Sequence, residues 1–246
     1  MVYNDRTVTR PAVNNDYQLG QGPVIHADET LPGRPTQLGD AKFIWMLAGI
    51  CGRAVAFVLM LLGFPCFLAI SLITFILSRN SPLVAHERIG LHGKPLWVLK
   101  LRTMWPRHPG PTRAFKLLTY LPPDPVPERK LMYDPRITSA FAAFCRRYSI
   151  DEWPQLWQVL KGELALVGPR PLTLKELERY YGPLGAEILR VKPGLTGLWQ
   201  VNGRSGLSYG QRRELDLQLV RSKSLLLRVK IVALTLPRVL TGKNAG

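Results

Sequence analysis

The chain has 246 residues, 46% of them hydrophobic, and sets 33 Lys and Arg against 17 Asp and Glu, a formal net charge of +16. That hydrophobic share excludes a disordered basic tail, and the three cysteines (Cys51, Cys66, Cys145) form neither a disulfide framework nor a CxxC metal pattern. The length holds one or two domains, and the basic excess favours an anionic partner: nucleic acid, anionic lipid or a phosphorylated substrate.

Residues 1–40 are polar and rich in Pro, Gly and Asn, with no secretory signal. They read as a mobile cytoplasmic tail. Residues 41–80 read as a membrane segment. Ala54 to Leu77 is a run of 24 residues without a charge, and extending it back to Phe43 gives 35 apolar-rich residues interrupted only by Arg53. A straight helix of that length measures roughly 50 Å, too long for a hydrocarbon core of about 30 Å and too short for two crossings with a turn. Pro65, after Gly63-Phe64, cannot donate to the carbonyl of Leu61, so a kink is expected there. Basic residues lie on both sides: Lys42 and Arg53 before, Arg79, Arg88, Lys94 and Lys100 after. The positive-inside rule draws both ends to the cytoplasmic face, as a re-entrant helix broken at Pro65 requires. A single spanning helix with a tolerated proline stands equal to it on these features.

Residues 81–246 read as a cytosolic domain, α+β and mainly helical. Val84–Ile89 and Trp97–Leu101 flank the turn-forming Gly90–Pro95, which predicts a β-hairpin. The proline-rich range 105–135 predicts a long loop. Helices are expected over Ser139–Arg147 and over Asp151 to about Lys161, with Pro154 in the first turn. A short helix follows at Leu174–Tyr181, capped by Thr173, with Lys175, Glu176 and Glu178 on its wet face. Leu207–Leu219 is amphipathic. Leu225–Leu236 is apolar with Arg228 and Lys230 among the aliphatics and Pro237 after it. It suits either a core helix or an interfacial one with its cations toward lipid headgroups.

Asp151 and Glu152 stand at a helix start, where the dipole favours their ionised forms. Neighbouring helical side chains diverge by about 100 degrees, so a shared-proton pair is disfavoured and separate tasks are expected. An ionised carboxylate can attack phosphorus. It is also a hard ligand for Mg²⁺, which binds through one or two carboxylates plus substrate phosphates. Arg146, Arg147, Arg170 and Arg204 could clamp phosphate oxygens. A favourable first helical turn, with arginines on a solvated or lipid-facing surface, accounts for the same residues without chemistry.

The chain resembles the bacterial sugar transferases, the small monotopic phosphoglycosyl transferases, over roughly residues 40–242. The motifs that carry the resemblance are Lys100-Leu101-Arg102-Thr103-Met104, Asp134-Pro135-Arg136-Ile137-Thr138, Ser149 to Leu156, Leu160-Lys161-Gly162-Glu163, Leu166 to Pro171 with Pro169, and Lys192 to Arg204. The resemblance implies an enzyme of the bacterial inner membrane, on its cytoplasmic face. It would move a sugar-1-phosphate, a hexose in the first instance, from a UDP-sugar to polyprenyl (undecaprenyl) phosphate and release UMP. Surface glycan or exopolysaccharide synthesis would begin with this step. By this resemblance Asp151 is the nucleophile of a covalent phosphosugar intermediate, and Glu152 binds Mg²⁺ and assists proton handling. Arg146 and Arg170 belong to the active site. Arg147, Lys100, Arg102, Asp134, Arg136, Pro169, Gln200 and Arg204 bind substrate. The family's re-entrant helix breaks at a proline that Pro65 matches, although Phe64 replaces the usual serine. His86 also stands where Gln is usual, the segment between Pro82 and His86 is short, and Trp153 replaces a Leu. Anionic lipid is the expected further partner, and a homodimer stays open. A membrane-anchored basic protein that binds anionic lipid or nucleic acid without chemistry is the rival. Its basic residues are dispersed and no nucleic-acid motif is present, so no nucleic-acid partner is expected.

Overall fold

The computed structural model describes residues 38–106, 116–121, 137–203, 206–222 and 224–242. The expectations for residues 1–37 and for Asp134, Arg136 and Arg204 lie outside these residues. Within them the architecture is mixed α and β, mostly helical, with one long apolar helix ahead of a small sheet.

Helix α1 (Leu38–Ser78) has 41 residues and starts three residues inside the range read as a tail. Pro65 lies within it, so the expected break is not seen. Packing on both sides of the proline gives the physical reason. A Cβ on Gly63 would stand 2.7 Å from the Trp153 indole nitrogen, and Phe67 stacks on the same indole with ring centroids 4.4 Å apart. One surface therefore holds both halves. The inward stripe continues through Met60, Ala56 and Gly52, at helical spacing, onto Leu156, Val159, Leu164 and Leu166. The opposite face leaves Leu61, Leu62, Phe64, Leu68, Leu72 and Ile76 exposed. Met46–Ser78 is the one stretch among the described residues long and apolar enough to cross a membrane.

The expected hairpin forms from β1 (Leu83–Ile89) and β2 (Pro95–Leu101), antiparallel with Leu83 opposite Leu101. His92 and Gly93 turn the chain at φ 56° and 78°. A third strand, β3 (Leu118–Leu121), pairs parallel to the other side of β1, inside the range read as a loop.

Helix α2 (Ala140–Arg147) matches expectation, and the Ser139 side chain accepts the Ala142 N–H. The helix expected from Asp151 is divided. Ile150–Glu152 forms a 3-10 turn, and α3 (Gln155–Lys161) follows with Pro154 just before it and Gly162 closing it at φ 74°. Two short strands, β4 (Ala165–Val167) and β5 (Gly194–Thr196), pair in parallel and were not expected. Between them, α4 (Leu174–Glu176) widens into a π turn over Leu177–Tyr181, and α5 (Gly185–Ile188) follows. Glu176, half-buried, accepts the Thr173 N–H at 2.8 Å and completes a capping box.

The C-terminal part holds α6 (Leu198–Asn202), α7 (Tyr209–Arg221, capped by Ser208) and α8 (Leu225–Thr241). Pro237 lies inside α8 rather than beyond its end. The helix is both core and surface. Leu227 and Ile231 join Val167, Leu198, Val201 and Leu219 in a buried cluster, while Leu226, Val229, Leu236 and Leu240 are exposed. Arg228 faces inward, against the headgroup expectation, and donates to the Val167 carbonyl at 3.1 Å.

Candidate active site

Asp151 is delivered by a tight corner. Helix α2 ends at Arg147, and Ser149 takes a left-handed conformation (φ 55°), rare for a residue with a Cβ. The 3-10 turn then carries Asp151 inward, leaving it 6% exposed, while Glu152 stays half-buried. Burial raises the Asp151 carboxyl to about 6, and Glu152 pushes the same way. Lys100 and Arg146 oppose them by favouring the charged form. The Cys145 thiol, buried on α2, is pushed up to about 11 by desolvation and by the Asp151 charge.

Lys100, on β2, contacts both acids: its Nζ lies 2.9 Å from Glu152 Oε1 and 4.0 Å from Asp151 Oδ2. Arg170 approaches from another side, with Nη1 4.0 Å from Glu152 Oε1. Two carboxylates and three cations (Lys100, Arg146, Arg170) thus converge from β2, α2 and the loop after β4.

That loop is held by backbone packed on backbone. The Gly168 N–H donates to the Thr196 carbonyl at 2.9 Å, and the Gly194 N–H to the Pro169 carbonyl at 2.7 Å. A Cβ on Gly168 would meet the Lys192 carbonyl at 2.7 Å and the Gly194 nitrogen at 2.9 Å. Only glycine allows this approach, which seats buried Pro169 and presents Arg170. The Arg170 guanidinium lies over the Trp199 ring at 5.6 Å, and Arg212 over the same ring at 5.0 Å. Behind them Asp216 is fully buried and accepts the Tyr181 hydroxyl at 2.7 Å. Burial raises Asp216 to about 7, against the Tyr181 bond, the Arg170 peptide N–H and the Arg170 and Arg212 charges.

The other expected residues are dispersed. Arg102 donates through Nε to the Ser81 carbonyl at 2.7 Å and closes the start of the hairpin. Arg147 lies over Tyr148 and packs against Gly242, at the end of α8. Gln200 donates to the Leu195 carbonyl at 3.4 Å and its own carbonyl accepts from Arg238. Asp216, Tyr181 and Arg212 were not anticipated. Thirty-five residues separate Tyr181 from Asp216, and neither stands in a motif that points to the other. Arg212 lies in the range read only as an amphipathic helix.

Three cations around a paired acid and a desolvated acid suit an anionic substrate at which one carboxylate acts as nucleophile. No group of three or more His, Cys, Asp or Glu side chains that could hold a metal is found among the described residues. Glu152, whose Oε1 is paired with Lys100 at 2.9 Å, is the carboxylate that Mg²⁺ would have to share with that lysine, completing its shell with substrate phosphates and water.

The family model for bacterial sugar transferases matches residues 45–242. The exopolysaccharide production protein ExoY of Rhizobium meliloti is 38% identical over 194 residues, covering 77% of this chain and 84% of that protein. The UDP-glucose:undecaprenyl-phosphate glucose-1-phosphate transferase of Escherichia coli is 33% identical over 198 residues, 78% of this chain and 39% of that protein. The undecaprenyl-phosphate galactose phosphotransferase of Salmonella typhimurium is 42% identical over 146 residues, 57% of this chain and 29% of that protein. The chain therefore spans most of the first relative and well under half of the two longer ones. With the family's model covering the helix, the paired acids and the glycine-held arginine loop alike, the chain belongs to the bacterial sugar transferase family.

Proposed function

We propose that this protein is a membrane phosphoglycosyl transferase that moves a hexose-1-phosphate from a UDP-sugar to polyprenyl phosphate, undecaprenyl phosphate above all, and releases UMP. The observation that carries the reading is the desolvated Asp151, set beside the Lys100–Glu152 pair with Arg146 and Arg170 around it. The names of the relatives, which speak of undecaprenyl phosphate hexose transfer and exopolysaccharide production, support the substrate class and the pathway.

In the first half-reaction an Asp151 carboxylate oxygen attacks the β-phosphorus, which carries the sugar. The bond from that phosphorus to the bridging oxygen breaks, and its electron pair leaves with UMP. In the second half-reaction a phosphate oxygen of the polyprenyl acceptor attacks the same phosphorus and the Asp151 carboxylate departs. The product is a polyprenyl diphosphate sugar. Attack needs the ionised acid, and a group that titrates at about 6 is mostly ionised at pH 7. In this reading Arg170, half-exposed, holds the donor diphosphate, and Arg146 and Lys100 favour the charged form of the buried Asp151. Glu152 would hold Mg²⁺ together with donor phosphate oxygens, and bound Mg²⁺ supplies charge neutralisation at the diphosphate.

The apolar helix α1 supports a membrane-bound reading. Its stripe from Gly52 to Phe67 lies against the catalytic domain, so the helix runs alongside that domain instead of leaving it end-on. Its exposed apolar face and the outer face of α8 support contact with lipid. In this reading the helix anchors the domain at the cytoplasmic face, with the nucleophile near the headgroup plane where the acceptor phosphate lies. The +16 charge adds attraction to anionic lipid.

Purified protein in lipid nanodiscs, supplied with Mg²⁺, undecaprenyl phosphate and a panel of UDP-hexoses, should release UMP with at least one donor. Asp151→Asn should abolish release. A folded wild type silent toward every donor, or a fully active variant, would contradict the proposal.

A further inference from the structure

Arg170 is held only loosely by charge. Its side chain is 39% exposed, and among the described residues its one ion pair is with Glu152, 4.0 Å from Nη1 to Oε1. That is beyond hydrogen-bond reach, and the same carboxylate oxygen is already paired with Lys100 at 2.9 Å. The contact that remains is with a ring. The Arg170 guanidinium lies 5.6 Å from the centroid of Trp199, and an aromatic face attracts a cation without occupying any of its N–H groups. Two glycines set this contact. A Cβ on Gly197 would collide with the Gly168 carbonyl, so the start of α6 lies directly against the loop after β4. Arg170 stands two residues after Gly168, Trp199 stands two residues after Gly197, and the two side chains meet. Trp199 itself is 7% exposed. Its ring also carries Arg212 at 5.0 Å, and Arg212 lies 5.1 Å from the Tyr209 ring. Tyr209 in turn stacks on Tyr180, with centroids 3.8 Å apart and planes 4° from parallel. The indole is thus one layer of a stack built from α6, α7 and the π turn.

We propose that Trp199 is a positioning residue for donor binding: its ring orients the Arg170 guanidinium and leaves the N–H groups free for the oxygens of a nucleoside diphosphate. The inference rests on the phosphoglycosyl transferase reading given above, in which Arg170 holds the donor diphosphate. A carboxylate in place of the ring would also order the arginine, but it would compete with the donor for the same N–H groups. The ring does not compete. The arginine is ordered before the donor arrives, and less side-chain freedom is lost on binding.

The test is the kinetics of UMP release for wild type, Trp199→Leu, Trp199→Phe, Arg170→Gln and the Trp199→Leu/Arg170→Gln double variant, in nanodiscs with Mg²⁺. Trp199→Leu should raise KM for the UDP-sugar by about 2- to 30-fold, the span of a cation–ring contact. Because the ring serves binding of the donor and not the chemical step, kcat and KM for undecaprenyl phosphate should stay within about twofold of wild type. Trp199→Phe keeps an aromatic face and should stay close to wild type. The double variant should match Arg170→Gln alone, because the ring acts through that arginine. A loss spread over kcat and both KM values, an additive double variant, or a phenylalanine variant no better than the leucine one overturns the inference. Trp199→Met, closer to the indole in volume, serves with the same outcomes if the leucine variant does not fold. A second measurement needs no turnover. An arginine-directed dicarbonyl is applied over a series of UDP concentrations, and modification of Arg170 is read by peptide mass spectrometry against the exposed Arg190. The UDP concentration that half-protects Arg170 should be several-fold higher in Trp199→Leu than in wild type, and an unchanged concentration overturns the inference. A wild type that releases no UMP, while UDP protection of Arg170 still weakens in the variant, would sink the transferase reading and leave the positioning role standing.

Discussion

Replacing Asp151 by Asn should abolish transfer and at the same time make the protein more stable at neutral and alkaline pH. The Asp151 carboxyl titrates at about 6 in the folded chain against an ordinary value of 3.8, chiefly because burial disfavours its charge. A raised folded value means that the native state holds a proton which the unfolded state has released, over the window from about pH 4 to about pH 6. Stability falls as pH rises through that window, and the whole cost stands above it. About 2 pH units at 1.36 kcal/mol each makes that cost about 3 kcal/mol. With Asp151 only 6% exposed, solvent screening takes little from it. Asparagine mimics the protonated acid and does not titrate, so Asp151→Asn should gain about 3 kcal/mol over wild type at pH 8 and close to nothing at pH 4. At roughly 2–4 °C per kcal/mol for a chain of this size, the unfolding midpoint at pH 8 should rise by about 6–12 °C. The assay is thermal unfolding of nanodisc-embedded wild type and variant at pH 4.5, 6 and 8. Asp216 titrates in both proteins and cancels from the comparison. A variant less stable than wild type at pH 8, or a difference that does not change with pH, would refute the argument that desolvation sets the nucleophile.

Two further outcomes follow from the layer behind Arg170. Tyr181→Phe removes a hydrogen bond to a fully buried carboxylate. It should cost about 1.5–3 kcal/mol at pH 8 and less at pH 5, where Asp216, titrating at about 7, is already protonated; urea unfolding at the two pH values measures it. Gly168→Ala places a Cβ against the Lys192 carbonyl and the Gly194 nitrogen, backbone that cannot rotate away. The arginine loop must shift, and displacements of about 1 Å at a reacting centre can cost on the order of 100-fold. UMP release should fall at least about tenfold in protein that still folds, and wild-type rates would show that the close packing does not set the Arg170 position.

Much of this architecture was legible because its signals are local. A six-residue turn between alternating strands gives the β1–β2 hairpin, and the ranges Ser139–Arg147 and Leu207–Leu219, read as helical, overlap α2 and α7, whose Ser139 and Ser208 caps only the structure shows. The adjacent acids could be recognised as chemically useful, but not ranked, since spacing says nothing about which becomes desolvated. The corner at Ser149 decides that by turning Asp151 inward. What stayed hidden depends on partners far along the chain. Strand β3 has four residues in a proline-rich range and owes its form to pairing with β1, some 35 residues earlier. Lys100 reads as a phosphate binder from its motif, yet a fold that sets residue 100 against residue 152 gives it carboxylate partners. Pro65 has the sequence of a helix breaker, but contacts with Trp153 on either side hold one continuous helix.

The central claim is that Asp151 forms a bond to the phosphosugar, and one measurement meets it directly. Protein is mixed with its UDP-sugar donor and Mg²⁺ without acceptor, quenched in acid, and digested for mass spectrometry. The expected result is one equivalent of UMP released per active protein and a hexose-phosphate increment on the peptide at Asp151, discharged when undecaprenyl phosphate is added. An increment at Glu152, or UMP formed only in the presence of acceptor with no adduct on the chain, would contradict the account.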